Sequence, residues 1–360
     1  AAFQEAENLF AAENYTTALR LFTAIAQQDR NFLPALRQQG ICELRLRQYD
    51  NAIKHLLKYC KNHPDDVVAR ATLAQSYRSS GEFIRARQHI KLALKTSEEA
   101  DFSFLAAEIE ELLSEYGKAI KYYLNGLKND PERISAQIAL AGAYKSSGDF
   151  KAAADLLANI LAKQPHNVRA LTNLGTVYHS IGAYESAITL FSSALGHECH
   201  ADILYNLGLS YQQLRRAGDS IESFQRALEL EPNHTEAKIQ LAESYSSLGN
   251  FDEAITIYQQ IITAEPTHCR VNYLRTQIEK SHEVSDEEER RLHQLLRAAA
   301  DRNDQSLINF ALAKLYDDTS RHDKAFEYVD RANKIRFRSL KDASSEYIAT
   351  LRTTIEIGID

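Results

Sequence analysis

Aromatic residues recur along this chain at a spacing of about 34 residues. We call this recurring place the marker position, and it is occupied by Tyr15, Tyr49, Phe83, Tyr116, Phe150, Tyr184, Ala217 and Phe251. The steps are 34 residues, except those from Phe83 to Tyr116 and from Tyr184 to Ala217, which are 33. A fixed period of a few tens of residues indicates a repeat array, in which each repeat is one supersecondary unit. The two shorter steps indicate either that one residue is missing from each of those repeats in this sequence or that each carries a natural loop deletion.

Two further positions recur with the marker. The third residue after it is small in every copy, which lets the paired helices of a hairpin approach closely: Ala18, Ala52, Ala86, Ala119, Ala153, Ala187, Ser220 and Ala254. Four residues later comes a bulky side chain, which predicts the buried core: Phe22, Leu56, Ile90, Tyr123, Leu157, Phe191, Phe224 and Tyr258. Proline ends five of the repeats, where one helix must stop and another start: Pro64, Pro131, Pro165, Pro232 and Pro266.

The clearest copy runs from Leu174 to Ala194. Its residues and spacings resemble the tetratricopeptide repeat (TPR) family, whose period is 34: Leu174, Gly175, Tyr178, Gly182, Tyr184, Ala187, Phe191 and Ala194. The resemblance implies an all-α fold, a right-handed superhelical solenoid of about nine helix–turn–helix hairpins. It also implies that the first helix of each hairpin lines a concave surface. Ala217 and Ser220 depart from the pattern, and Arg215 and Arg216 stand where a turn glycine is usual.

The pattern divides the chain into four segments. Residues 1–269 are predicted to form the array of about eight repeats, and residues 270–305 an irregular, charged helical connection. In the latter, Ser285 and Glu288 predict a capping box at a helix start. Residues 306–340 are predicted to be a ninth TPR-like hairpin, with Leu312, Tyr316, Ala325 and Ala332 at TPR spacing. Residues 341–360 predict an amphipathic helix that either caps the array or leads into a further domain.

Composition and charge argue against several classes of function. The formal net charge is −7, whereas nucleic-acid binders usually carry a basic balance or stripe. No apolar run approaches the roughly 18 residues of a membrane span, and the start of the chain is amphipathic rather than signal-like. The four cysteines lie far apart, which is typical of free thiols in a reducing compartment. We therefore expect a cytoplasmic protein that binds neither nucleic acid nor membrane.

No motif predicts a cofactor or a catalytic site. The chain has neither GxGxxG nor GxxxxGK[ST], and its histidines show no spacing typical of a catalytic triad. Imidazole and thiolate suit zinc, but His197, Cys199 and His200 lie two repeats away from His268 and Cys269. Because each repeat of a solenoid contacts only its neighbours, we do not expect them to share an ion. The sequence therefore predicts no metal, no cofactor and no enzymatic activity for this chain.

Polar residues form stripes along several first helices. In repeat six Arg169, Asn173, Thr176 and Ser180 fall on one face, and the equivalent positions of repeats seven and eight include Asn206, Gln213, Gln240 and Glu243. We predict that a peptide-binding groove is lined by Arg169, Asn173, Thr176, Asn206, Gln213, Gln240 and Glu243. Asn173, Asn206 and Gln240 would stack as an amide ladder, which suits the backbone of an extended peptide. Surface amides are also common enough for this register to arise by chance.

A second resemblance concerns residues 281–340. The charged SDEEERRL helix followed by INFALAKLYDD and HDKAFEYVDRANKIR resembles the junction region of bacterial TPR–sulfotransferase proteins. It implies that the chain is the non-catalytic N-terminal region of a sulfotransferase and carries no catalytic residue itself. The expected function is a scaffold that binds an extended protein or peptide, with homo-oligomer formation possible. The alternative is a stand-alone TPR adaptor or self-association module.

Overall fold

The computed structural model describes residues 2–29, 32–279 and 286–357. All regular structure within these ranges is helical, which confirms the predicted all-α class, and there are 20 helices. The chain falls into two compact units, Ala1–Ala183 and Tyr184–Asp360, so the division lies between the two helices of repeat six.

Unit 1 contains five helical hairpins and the first helix of repeat six. Its helices are α1 (Ala2–Ala11), α2 (Tyr15–Gln28), α3 (Leu33–Arg45), α4 (Tyr49–Asn62), α5 (Val67–Ser79), α6 (Phe83–Ala93), α7 (Ala100–Leu112), α8 (Tyr116–Asn129), α9 (Ile134–Ser146), α10 (Phe150–Lys163) and α11 (Val168–Ser180).

Unit 2 begins with the second helix of repeat six. Its helices are α12 (Tyr184–Leu195), α13 (Ala201–Gln213), α14 (Ala217–Leu230), α15 (Thr235–Ser247), α16 (Phe251–Ala264), α17 (Cys269–Ile278), α18 (Asp286–Ala298), α19 (Arg302–Asp318) and α20 (His322–Ile357). In both units every marker residue is the first residue of a second helix.

The turn inside each hairpin contains one residue with positive φ, two positions before the second helix. The next residue donates its N–H to a carbonyl five residues earlier, at 2.8–3.0 Å, which is the hydrogen bond of a Schellman motif. In the described ranges these positions are Glu13, Arg47, Gly81, Ser114, Gly148, Gly182, Arg215, Gly249 and Ser320, with φ from 56° to 86°. Only four of them are glycine, so this geometry comes from the hairpin and is not imposed by glycine alone.

The two recurring packing positions form the core. All eight small residues, from Ala18 to Ala254, have no exposed surface, and the eight bulky residues are at most 2% exposed. A small residue of one helix faces its partner helix, and the bulky side chain fills the space beside it. This confirms the packing predicted from the period.

The two short steps have a structural counterpart. Helices α6 and α12 contain 11 and 12 residues, whereas the other complete second helices of repeats one to eight contain 14. Both end early and are followed by a connection without proline, at residues 94–99 and 196–200. The missing residue is therefore accommodated at the end of the second helix.

Two helices occupy much of residues 270–305, for which the sequence predicts an irregular, charged helical connection. Helix α17 packs against α16 and α19, and α18 packs against α19. Ser285 of the predicted capping box lies outside the described residues. Helices α19 and α20 form the last hairpin, with Leu312, Tyr316, Ala325 and Ala332 buried, and α20 continues without a break through residue 341.

Candidate functional site

The predicted groove residues of repeat six lie away from the core on α11. This helix buries Ala170, Leu171, Leu174, Gly175 and Val177. Arg169 is exposed, and Asn173 and Thr176 are half-buried. We call the corresponding surface of the first helices in each unit its first-helix face, which is formed by α5, α7, α9 and α11 in unit 1 and by α13 and α15 in unit 2.

Asn173 and Asn206 make the same intrahelical contact. The Nδ2 of Asn173 donates to the carbonyl of Arg169, and that of Asn206 to the carbonyl of Asp202, both at 2.7 Å. Each contact uses one N–H and fixes the direction of the amide, and it leaves the second N–H and the carbonyl oxygen for a partner. Asn173 belongs to unit 1 and Asn206 to unit 2, so a ladder that includes both stays a prediction.

Thr176 is engaged between two first helices. Its Oγ1 donates to the carbonyl of Asn173 at 2.8 Å and accepts from Nζ of Lys145 on α9 at 3.4 Å. The hydroxyl therefore ties neighbouring repeats together, and Lys145 contributes a cation to this face.

In unit 2 the contact across first helices is made by Gln212 and not by the predicted Gln213. Gln213 is exposed, whereas Nε2 of Gln212 donates to the Gln240 carbonyl at 3.1 Å and to Oγ of Ser244 at 2.9 Å. Gln212 and Gln213 are adjacent, so their side chains point about 100° apart around the helix. Which of them contacts the next first helix depends on how α13 packs against α15.

Glu243 is neutralised by a cation that the sequence analysis missed. Arg270 of α17 reaches Oε2 of Glu236 at 3.2 Å and Oε2 of Glu243 at 3.5 Å. Burial raises the pKa of Glu243 above its ordinary value, while the Arg270 guanidinium opposes this rise. Continuing the repeat period past Pro266 would have placed Arg270 at the position of Arg169 and Glu236.

A cleft of about 350 Å³ lies on the first-helix face between α5 and α7. Val68 and Leu105 contribute apolar surface to it, and Thr72 and Gln75 contribute polar groups. Val68 is 41% exposed, so its side chain is accessible to a ligand in the cleft. The polar stripes of repeats five to eight do not include these residues, which belong to repeats three and four and combine apolar with polar side chains.

Two ion pairs lie among the residues that line this cleft. Arg78 of α5 pairs with Glu108 of α7, and Arg133 pairs with Asp101 at the start of α7. The Arg133 guanidinium also lies 4.9 Å from the centre of the Phe104 ring. Partly exposed pairs contribute only about 0–1 kcal/mol each, so their main effect is to neutralise charge beside the cleft.

Two models of known protein families match the sequence of the repeats. A tetratricopeptide repeat family model matches residues 3–67, 72–134 and 138–202, and a second one matches residues 211–278. The chain belongs to the tetratricopeptide repeat family. A comparison with curated proteins gives no match.

Solved structures show the same TPR fold at low sequence identity. A tetratricopeptide repeat protein from Parabacteroides merdae has a TM-score of 0.56 at 13% identity, over 68% of this chain and 97% of that one. The Cut9–Hcn1 hetero-tetramer of the APC/C has a TM-score of 0.53 at 18% identity, over 76% of this chain and 54% of that one. At these identities the similarity shows the fold alone.

Cys199 and His200, two of the residues that could suit zinc, lie in the connection between α12 and α13. His200 pairs through Nε2 with Glu198 at 2.8 Å, and Cys199 beside it is exposed. Among the described residues, no group of three or more His, Cys, Asp or Glu side chains is arranged to hold a metal ion. Within the same residues, no helix combines the length and apolar character needed to span a bilayer.

Proposed function

We propose that this TPR protein is an interaction scaffold that binds an extended polypeptide along the first-helix face of unit 1, with the α5–α7 cleft as the main contact. The family supports the scaffold role in general. TPR repeats stack into continuous surfaces, and a repeat array supplies extended contact area and not a closed catalytic pocket. Extended polypeptides suit such a surface.

The cleft between α5 and α7 is the observation that carries this proposal. Val68 and Leu105 can cover an apolar side chain of the ligand, and the amide of Gln75 can both donate to and accept from a peptide backbone. The arginines near it, Arg78 and Arg133, already have carboxylate partners. A terminal carboxylate would have to displace those partners, so we propose an internal segment as the ligand.

The amides of Asn173 and Asn206 extend the same proposal. Their intrahelical hydrogen bonds hold each amide in one direction before the ligand arrives. Less side-chain entropy is then lost on binding than with a freely rotating amide. We propose that Asn173 contacts the ligand backbone outside the α5–α7 cleft, and that Asn206 offers an equivalent backbone contact within unit 2.

Selection from a random peptide library with the whole chain tests the proposal. Val68→Glu places a charge in the cleft at an exposed position, and it should weaken binding of the selected peptides at least about tenfold, as a buried unpaired charge would. Asn173→Ala with Asn206→Ala should weaken binding by a smaller factor. Binding can be measured by fluorescence anisotropy.

Ile84→Glu is the matched control. Ile84 is 59% exposed on the second helix α6, so the same change in chemistry falls outside the first-helix face. Selected peptides that bind Val68→Glu as tightly as the wild type would contradict the proposal. So would an equal loss of affinity in both variants.

The narrower prediction, that the array is the non-catalytic region of a sulfotransferase, depends on residues 281–340 alone. The family models described above match up to residue 278 and do not test it. Sequencing the reading frame after Asp360 does. A following domain that begins with a strand and a phosphosulfate-binding loop would support this assignment, and an immediate stop codon would favour the stand-alone adaptor.

A further inference from the structure

Repeat seven lacks the aromatic ring that repeats one to six place at the start of the second helix. In those repeats the ring is half-buried, at Tyr15, Tyr49, Phe83, Tyr116, Phe150 and Tyr184. In repeat seven the first residue of α14 is Ala217. Repeat seven therefore has no ring of its own at this position.

A cavity of about 370 Å³ lies at this point, between the α13–α14 turn and α15. Ala217 and Ser220 both line it, and these are the two residues by which repeat seven departs from the repeat pattern. All of its lining residues belong to unit 2. Because they are three residues apart on α14, the two departures lie on the same face of the helix and act at one place.

Hydrogen bonds hold the inner wall of the cavity in place. The Oγ of Ser220 donates to Oγ of Ser244 at 3.0 Å, and Nε2 of Gln212 donates to the same Ser244 oxygen at 2.9 Å. Ser220 and Ser244 are 0% and 2% exposed. Because these buried polar groups hydrogen-bond to one another, their hydrogen-bonding capacity is satisfied without a ligand.

The remaining lining combines apolar and charged groups. Leu248 is 53% exposed and offers an apolar edge, while Arg215 supplies a guanidinium, a group that interacts favourably with aromatic faces. The neighbouring Arg216 already lies 4.6 Å from the centre of the Tyr211 ring. Glu243 and Ser247 add hydrogen-bonding oxygens.

We propose that this cavity binds a tyrosine side chain of a partner polypeptide, which takes the place of the missing ring. The apolar surface of Ala217 and Leu248 suits the ring, and an oxygen of Glu243 or Ser247 can accept a hydrogen bond from the phenol O–H. This inference rests on the proposed scaffold function, because the tyrosine belongs to a bound polypeptide. It adds an anchor residue that the α5–α7 cleft does not require.

The test uses N-acetyl-tyrosinamide as the probe, titrated into the whole chain and followed by ligand-observed NMR. We expect a dissociation constant on the order of 1 mM, as is usual for a ligand of this size. N-acetyl-leucinamide should bind at least about fivefold more weakly. Equal binding of the two probes, or no binding of the tyrosine probe, would overturn the proposal.

Ala217→Tyr supplies a ring like those that seven other repeats already carry, and it should abolish binding of the probe. Glu222→Tyr adds the same ring at an exposed position of α14 and should leave binding unchanged. Should Ala217→Tyr fold poorly, Ser247→Trp obstructs the cavity from α15 and should also abolish binding. Undiminished binding in a folded blocking variant would overturn the proposal.

The peptide-binding test and the tyrosine-probe test can fail independently, so their results distinguish this inference from the proposed function. Loss of peptide binding in Val68→Glu together with no tyrosine binding would overturn the anchor site and leave the scaffold proposal in place. Tyrosine binding at Ala217 with no effect of Val68→Glu would contradict the α5–α7 cleft and leave the anchor site in place.

Discussion

Gly208 of α13 lies directly against the ring of Phe224 of α14. A Cβ atom on Gly208 would come within 2.6 Å of Phe224 Cε1 and within 3.0 Å of two other ring atoms. Phe224 is fully buried, so the ring has little freedom to move aside. The same relationship recurs in repeat two, where a Cβ on Gly40 would come 2.6 Å from Leu56 Cγ.

Gly208→Ala should therefore lower the free energy of unfolding by about 1–3 kcal/mol, the usual effect of overpacking a core. Urea denaturation, fitted with a nearest-neighbour model for repeat arrays, measures the change. Gly142→Ala on α9 is the matched control, because its Cβ would meet nothing within 4 Å. That variant should gain about 0.5–1 kcal/mol, since alanine favours a helix over glycine. Equal effects of both changes would contradict the packing argument.

Two substitutions at equivalent positive-φ positions of the hairpin turns should change the stability of the protein in opposite directions. Gly148 has φ of 86°, so Gly148→Ala should destabilise the protein by about 1–2 kcal/mol. Arg47 has φ of 60°, and Arg47→Gly should stabilise by up to about 1 kcal/mol, because relief of this strain exceeds the added entropy of the unfolded chain. Thermal unfolding followed by circular dichroism measures both. A clear loss of stability in Arg47→Gly would show that its side chain matters more than its backbone.

Asp66 predicts a pH-dependent contribution to stability. Its Oδ1 accepts the Ala69 N–H at 2.8 Å, and its Oδ2 accepts from Arg37 Nε at 2.9 Å and from the Tyr59 hydroxyl at 3.0 Å. Burial by itself would raise the pKa of Asp66, but these donors outweigh it and lower the pKa from 3.8. Because the folded pKa lies below the unfolded one, the stabilisation is present at neutral pH. It is lost as the pH falls through the folded pKa.

Asp66→Asn keeps an oxygen that can cap α5 but removes the charge. The variant should be less stable than the wild type by about 1 kcal/mol at pH 7, the difference between a charged and a neutral acceptor. Urea unfolding measured from pH 7 to below about pH 4 should show this difference shrinking as Asp66 of the wild type takes up its proton. A difference that is constant with pH would mean that the charge of Asp66 does not contribute.

The four cysteines should differ in reactivity. Cys199 is exposed, whereas Cys42, Cys60 and Cys269 are buried, and burial raises the pKa of their thiols to about 12, 11 and 11. A thiol-specific reagent at pH 8 should therefore modify one cysteine in the folded protein and four in urea. Mass spectrometry identifies the residues. Rapid native modification of Cys42 would show that unit 1 opens locally far more often than its packing indicates.

Some parts of the candidate site could be found from the sequence and others could not. The stripe through Arg169, Asn173 and Thr176 follows from helical spacing, because the buried and exposed faces of α11 alternate with a known period. The engagement of Thr176 with Lys145 and the salt bridges of Arg270 could not be found that way. They depend on distances between helices, which the period of one helix does not contain.

The sequence by itself determined the repeat unit, the start of every second helix in the first eight repeats and the core residues, from Ala18 and Phe22 to Ala254 and Tyr258. Each repeat carries its own packing residues, and each needs only its neighbours to bury them. The tertiary structure alone decided which polar side chains of the first helices are already hydrogen-bonded or ion-paired. It also decided where clefts and cavities form between the helices. The α5–α7 cleft and the cavity at Ala217 each exist because residues of different helices leave a space between them, and such a space is a property of packing and not of any single segment.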